Sequence, residues 1–128
     1  MVVLDTHVLI YDALEPKRLS ARARRALEGE HGPLAASDIS LWEIAMLIAK
    51  GRVDPATDAA QFIQDVIDAR GLRVLPITAQ IAALAQADAF RHGDPADRII
   101  GATALAQRAA LVTADRWLAR ARDLQVIW

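Results

Sequence analysis

Short apolar runs, none longer than five residues, alternate along this chain with longer stretches of helical hydrophobic period, and that alternation restricts the fold more than any other feature. The runs are Val2–Leu4, a weaker one over Pro33–Ser37, Arg73–Pro76, Leu111–Thr113 and Gln125–Trp128. Between them the spacing predicts a helix through Val8, Leu9, Tyr11 and Leu14 before Pro16, one from Ser20 to Glu28 closed by Gly29, and one from Ile39 to Lys50 ending at Gly51. Asp54-Pro55 reads as the cap and first residue of a helix to Arg70-Gly71. Thr78 caps a helix over Ala79–Phe90, Gly93-Asp94-Pro95 starts another running through Ala110, and Asp115 caps a last short one. Parallel strands need crossovers of such lengths, so the expected fold is a three-layer α/β/α sandwich around a central, mostly parallel sheet. At 128 residues, with no internal repeat or linker, the chain reads as one domain over residues 1–128.

Composition then excludes several classes of function. A formal net charge of −1 speaks against gripping nucleic acid by bulk charge, so any such role is local. The absence of cysteine removes disulfides, thiolate metal sites and thiol nucleophiles, and fits a reducing compartment. The opening apolar run is cut at Asp5, giving neither a signal peptide nor a membrane span, and a cytoplasmic location is expected.

In a parallel sheet, ligands bind beyond the carboxyl ends of the strands. Asp5 and Asp115 follow two of the predicted strands, Asp94 and Asp97 open a helix, and Glu43 lies in the helix after the second strand. Taken singly, each segment also reads as a helix cap: Asp5, the capping box Ser40-Leu-Trp-Glu43, the cap and third position Asp94 and Asp97, and Asp115. Asp54-Pro55-Ala-Thr-Asp58 looks almost the same as the Asp94 segment and carries no chemistry. The joint pattern differs, because carboxylates clustered at one sheet edge raise one another's pKa unless a cation is present. An all-oxygen donor set suits Mg²⁺ or Mn²⁺ rather than Zn²⁺.

Five stretches then carry a resemblance: Val3-Leu-Asp5-Thr6-His7, Ser37-Asp-Ile-Ser40-Leu-Trp-Glu43-Ile, Leu75-Pro76-Ile77-Thr78, His92-Gly-Asp94-Pro95-Ala-Asp97-Arg98 and Leu111-Val-Thr113-Ala-Asp115. In this order and spacing they resemble PIN-domain proteins of the VapC type, the toxic ribonucleases of bacterial and archaeal toxin–antitoxin pairs, over essentially the whole chain. The resemblance implies that Asp5, Glu43, Asp97 and Asp115 form an acidic metal site, with Asp94 a neighbouring acid whose first role is capping. Ala96 departs from the pattern, since many family members carry Phe there. The resemblance also implies an endoribonuclease using Mg²⁺ or Mn²⁺ and leaving 3′-hydroxyl and 5′-phosphate ends. It further implies a VapB-like antitoxin and a homodimer, with Trp42, Ile44, Leu47 and Ile48 on faces that serve either interfaces or the core.

The supporting residues have two readings each. Setting four of the 16 acids aside leaves a basic balance, with 15 Lys+Arg, and Arg98 and Arg116 stand next to site acids where they meet substrate phosphates or form ordinary ion pairs. Thr6 and Thr113 either hydrogen-bond a carboxylate or a metal-bound water, or close local turns. His7 is expected to pack locally, His31 and His92 to lie in loops, Ser37 and Ser40 to cap, and Trp42 to pack in the core or between subunits. Arg18, Arg22 and Arg25 fall on one helical stripe, read as a solvated face or an RNA contact. The alternatives are a PIN-like RNA- or protein-binding module without turnover, and a solitary PIN nuclease outside any toxin–antitoxin pair.

Overall fold

The computed structural model describes residues 1–91 and 93–128; His92, expected in a loop, lies outside them. Val2–Leu4 (β1) runs into Thr6–Leu14 (α1), a 3₁₀ turn at Pro16–Arg18 and Ala21–Leu27 (α2), followed by Leu34–Ser37 (β2) and Asp38–Ala49 (α3). Ala59–Arg70 (α4) leads to Arg73–Leu75 (β3), and Ala79–Leu84 (α5) with a 3₁₀ turn at Asp88–Phe90 leads to Pro95–Ala106 (α6). Ala110–Val112 (β4), Arg116–Ala119 (α7) and Val126–Ile127 (β5) close the chain. All the strand pairs are parallel, in the order β3-β2-β1-β4-β5.

The sheet has apolar side chains on both faces, as a parallel sheet between helix layers requires. Val2, Leu4, Ala36 and Val112 pack with α1, α2, α3 and α4, through Val8, Leu27, Ile44 and Phe62 among others. Val3 and Leu111 turn to the other face, against Ile81, Ile100 and Leu118 of α5, α6 and α7. The period of two in β1 and β4 therefore divides one sheet between two cores. Because β1 is central, with β4 beside it in the register Leu4↔Val112, residues 5 and 113–115 emerge together at one edge.

Several boundaries differ from the sequence expectation, each for a local reason. The helix predicted from Asp54-Pro55 begins only after Asp58, whose carboxylate accepts from Gln61 N–H at 2.9 Å. Asp54 instead closes a turn onto Ala56 N–H, and Ala56 sits at φ 58°, which no helix continues. The Ala79–Phe90 helix stops at Leu84, where Arg98 takes the Ala85 carbonyl at 3.0 Å and Gln86 Oε1 at 2.6 Å. The helix expected to reach Ala110 ends at Ala106, because Arg108 adopts φ 50° and completes a Schellman closure, Arg108 N–H to Leu105 and Ala109 N–H to Ala104.

The capping box at Ser40 is absent: Ser37 is the cap of α3, accepting from Ile39 N–H, and Ser40 lies inside the helix with its Oγ accepting from Thr6 Oγ1 at 2.9 Å. Trp42 is 61% exposed, so the core reading fails, whereas Ile44 and Leu47 are buried core residues and not a surface. The arginine stripe is also broken. Arg18 belongs to the 3₁₀ turn, lying 4.2 Å from the Tyr11 ring centroid and pairing with Glu15, while Arg25 pairs with Glu30.

Candidate metal centre

Asp5 leaves β1 at the N-cap position of α1, yet its side chain makes no cap bond. Its Oδ2 accepts instead from Thr113 Oγ1 at 2.6 Å, a contact between the ends of the two neighbouring strands. Thr113 Oγ1 in turn accepts from Asp115 N–H at 3.0 Å, so this hydroxyl serves both the carboxylate and the local turn. Asp115 caps α7, its Oδ1 accepting from Trp117 and Leu118 N–H. Asp94 caps α6 by accepting from Asp97 N–H at 3.0 Å. Glu43, in the second turn of α3, is buried, whereas its neighbour Trp42, about 100° away around the helix, is exposed.

These five acids line one cavity of about 350 Å³ with His7, Val8, Tyr11 and Ala114. Glu43, Asp94 and Asp97 each offer an oxygen within 4.8 Å of the other two. Asp94 thus stands closer to the centre of the group than its expected capping role required. Asp5 Oδ1 and Glu43 Oε1 are buried and have no hydrogen-bond partner among the described residues. Buried charged oxygens left bare are costly, and a hard cation is the ligand that satisfies several at once. Asp38 Oδ1 is bare as well, its other oxygen accepting from Ile77 N–H at the end of β3.

The electrostatics agree with that reading. Burial pushes the Asp97 carboxyl up to about 9, helped by its hydrogen bond with the Asp94 side chain and by the charges of Asp5, Asp94 and Asp115. Burial raises Asp5 above the ordinary carboxylate range, against the Thr113 hydrogen bond and His7, and Glu43 adds to the rise. For Asp94 burial also pushes upward, but hydrogen bonds from Asp97 and from the Asp97 and Ala96 amides outweigh it and hold the group low. Without a cation the Asp94–Asp97 pair therefore keeps one proton between two carboxyls, the state a divalent ion would replace.

Of the other residues singled out in the sequence, Thr6 donates to Ser40 and not to an acid, and Arg98 is held by Ala85 and Gln86, tying α6 to the end of α5. Arg116 is exposed, and His31 lies in the turn before β2. His7 is exposed at the cavity wall, tilted against Tyr11 with ring centroids 6.2 Å apart. Tyr11 was not singled out from the sequence; its one signal was the spacing of four from His7 on a helix that starts at the first acid.

Residues 2–124 match the PIN domain. The chain is 40% identical over 118 residues to Ribonuclease VapC22 of Mycobacterium tuberculosis (strain ATCC 25618 / H37Rv), covering 91% of this chain and 88% of that protein. Among solved structures, VapBC2 from Rickettsia felis, bound to a DNA fragment from its promoter, matches with a TM-score of 0.70 at 20% identity, over 98% of this chain and 97% of that one. A toxin-antitoxin complex from Klebsiella pneumoniae matches with a TM-score of 0.66 at 23% identity, over 97% and 95% respectively. At these identities the two structures show the fold.

Proposed function

The chain belongs to the PIN-domain family, and on that premise we propose that it is a metal-dependent endoribonuclease, the toxin of a type II toxin–antitoxin pair, acting as a single domain over residues 1–128. The observation that carries this reading is the convergence of Asp5, Glu43, Asp94, Asp97 and Asp115 on one cavity, with two buried carboxylate oxygens bare. Asp5, Glu43, Asp97 and Asp115 would hold a divalent cation, Mg²⁺ or Mn²⁺. Such an ion, when bound, neutralises charge at the scissile phosphate and acidifies a water.

The chain's own residues do the rest. Glu43, the buried acid whose Oε1 has no partner among the described residues, either completes the ligand set of the cation or takes the proton of the attacking water. Water oxygen bonds to phosphorus, the bond to the 3′ oxygen breaks, and that oxygen leaves as an alkoxide that takes a proton from solvent water, giving 3′-hydroxyl and 5′-phosphate ends. Thr113 fixes the rotamer of Asp5 through the 2.6 Å hydrogen bond, and Asp94 fixes Asp97 by capping the helix on which it rides.

The relatives also bear on partners. The Rickettsia felis structure is a VapBC2 assembly on DNA and the Klebsiella pneumoniae structure a toxin-antitoxin complex, so a VapB-like antitoxin is the partner proposed for this chain. A homodimer is the proposed assembly, with exposed Trp42 on α3 the apolar side chain that a protein interface would cover. Among the described residues no helix is long and apolar enough to cross a membrane, and the proposed site of action is the cytoplasm, where the RNA is.

The test is cleavage of total cellular RNA by purified protein in Mg²⁺, Mn²⁺ or EDTA, beside folded Asp97→Asn and Glu43→Gln variants. Discrete fragments should need metal, and each substitution should slow cleavage by on the order of 10²–10⁴-fold with unchanged circular dichroism. Equal cleavage in EDTA, or by the variants, sinks the metal reading. No cleavage by the wild type across RNA pools would favour the binding module without turnover.

A further inference from the structure

Two hydroxyls beside the acids take no part in the chemistry above. Thr6, the first residue of α1, follows Asp5, and Ser40, in the first turn of α3, precedes Glu43 by three positions and so shares its helix face. Thr6 Oγ1 donates to Ser40 Oγ at 2.9 Å, and both residues are 0% exposed. Leu4, Val8 and Ile44, close to them in the chain, belong to the core on the same side of the sheet. Among such neighbours a valine and an alanine would fill the same space without stripping water from two hydroxyls. Packing alone therefore gives no reason for the pair.

What the pair joins is two helices that bring acids to one cavity. Asp5 opens α1 and Glu43 rides on α3; both line the acidic cavity, and each has one buried oxygen with no partner among the described residues. The charge of Glu43 raises the Asp5 carboxyl, so the two repel when ionised and press α1 away from α3. Thr113 steadies Asp5 from the side of β4, through its 2.6 Å bond. Among the described residues, no other hydrogen bond crosses between α1 and α3. Resting on the metal-centre reading above, we propose that the Thr6–Ser40 hydrogen bond is a positioning clamp, which sets α1 against α3 so that Asp5 and Glu43 stand ready to share one divalent cation. The hydroxyls act through the acids and do not themselves touch the ion. Such a clamp reduces the rearrangement that metal binding must otherwise drive.

The experiment uses the full chain and Mn²⁺ alone, with free ion counted by electron paramagnetic resonance to give Kd, and melting temperature followed separately in EDTA. Thr6→Val and Ser40→Ala should each weaken Mn²⁺ binding roughly tenfold. The double variant Thr6→Val/Ser40→Ala should lose about as much as either alone, because the same bond is broken only once. It leaves neither hydroxyl buried without its partner, so its melting temperature should stay close to wild type. Thr6→Ser keeps the hydroxyl and loses a buried methyl, and should melt lower yet bind Mn²⁺ as wild type does. A merely structural pair gives the reverse, with affinity following stability. A Kd within twofold of wild type in the double variant, or an affinity of Thr6→Ser that drops as far as that of Thr6→Val, overturns the clamp and leaves the metal centre standing. Asp5→Asn, which removes a ligand, marks the full loss. If wild type binds Mn²⁺ no better than Asp5→Asn, the metal-centre reading falls first and the clamp with it.

Discussion

At Gly101, in the middle of α6, there is no room for a methyl group. A Cβ there would lie 2.5 Å from Phe90 Cε1 and 3.1 Å from Leu118 Cδ2, and both of those side chains are buried. In an open helix Gly→Ala gains about 1 kcal/mol, but forcing a buried ring aside costs about 1–3 kcal/mol. Gly101→Ala is therefore expected to lower stability in urea unfolding and to disturb the packing of Phe90 and Leu118, although neither residue is an acid of the site. A variant more stable than wild type would show that the ring moves freely. Requirements of this kind are invisible in a sequence, where Gly101 reads only as a mild helix weakener. The acids were visible for the opposite reason: Asp5 and Asp115 end apolar runs that can only be strands, whatever packs around them.

At the scale of elements, two segments that look alike part company. Asp94-Pro95 caps a helix and Asp54-Pro55 does not, because Ala56 turns left-handed and hands the start of α4 to Asp58. Asp58→Ala should then cost about 1 kcal/mol of stability, and Asp54→Ala, which loses only an exposed turn bond, markedly less. Equal losses in denaturant titrations would put the start of α4 back at Asp54. Strand positions, the parallel sense of the sheet and most caps were legible because hydrophobic period and cap chemistry are local, whereas the strand order was not. Nor were the ends of α5 and α6. The first stops where Arg98 reaches Ala85, a contact thirteen residues on, and the second closes on Arg108, a left-handed residue where the usual glycine signal is missing. Asp94 belongs to the same class. Its cap was read from the sequence, but its oxygen's approach to Glu43 depends on how α3 and α6 pack.

For the whole molecule, the acidic centre couples stability to pH. Asp97 is raised to about 9 and Asp5 is raised by burial, so the metal-free folded protein keeps protons that the unfolded chain has already released. Stability from these groups is complete below their ordinary pKa and is lost as pH rises through the folded values. Asp94 is shifted downward, and its contribution is lost only in acid below that window. Melting temperature in EDTA should thus fall between about pH 5.5 and 8.5, and Mg²⁺ should raise it more at the upper end, where it replaces the missing protons. A melting temperature that climbs with pH in EDTA would refute this account.

The hydrogen bond from Thr113 to Asp5 joins residues 108 positions apart; Asp115 follows Thr113, and the other acids come from two segments in between, Glu43 on one and Asp94 with Asp97 on the other. A ribosome making this chain therefore lays down the central strand well ahead of its neighbour, and the 108 positions between Asp5 and Thr113 must be translated before β4 can slide in beside it. Until then the five carboxylates are scattered along an unfinished polypeptide. The topology itself is a delay line: a nascent chain has no blade with which to cut the RNA that is still decoding it.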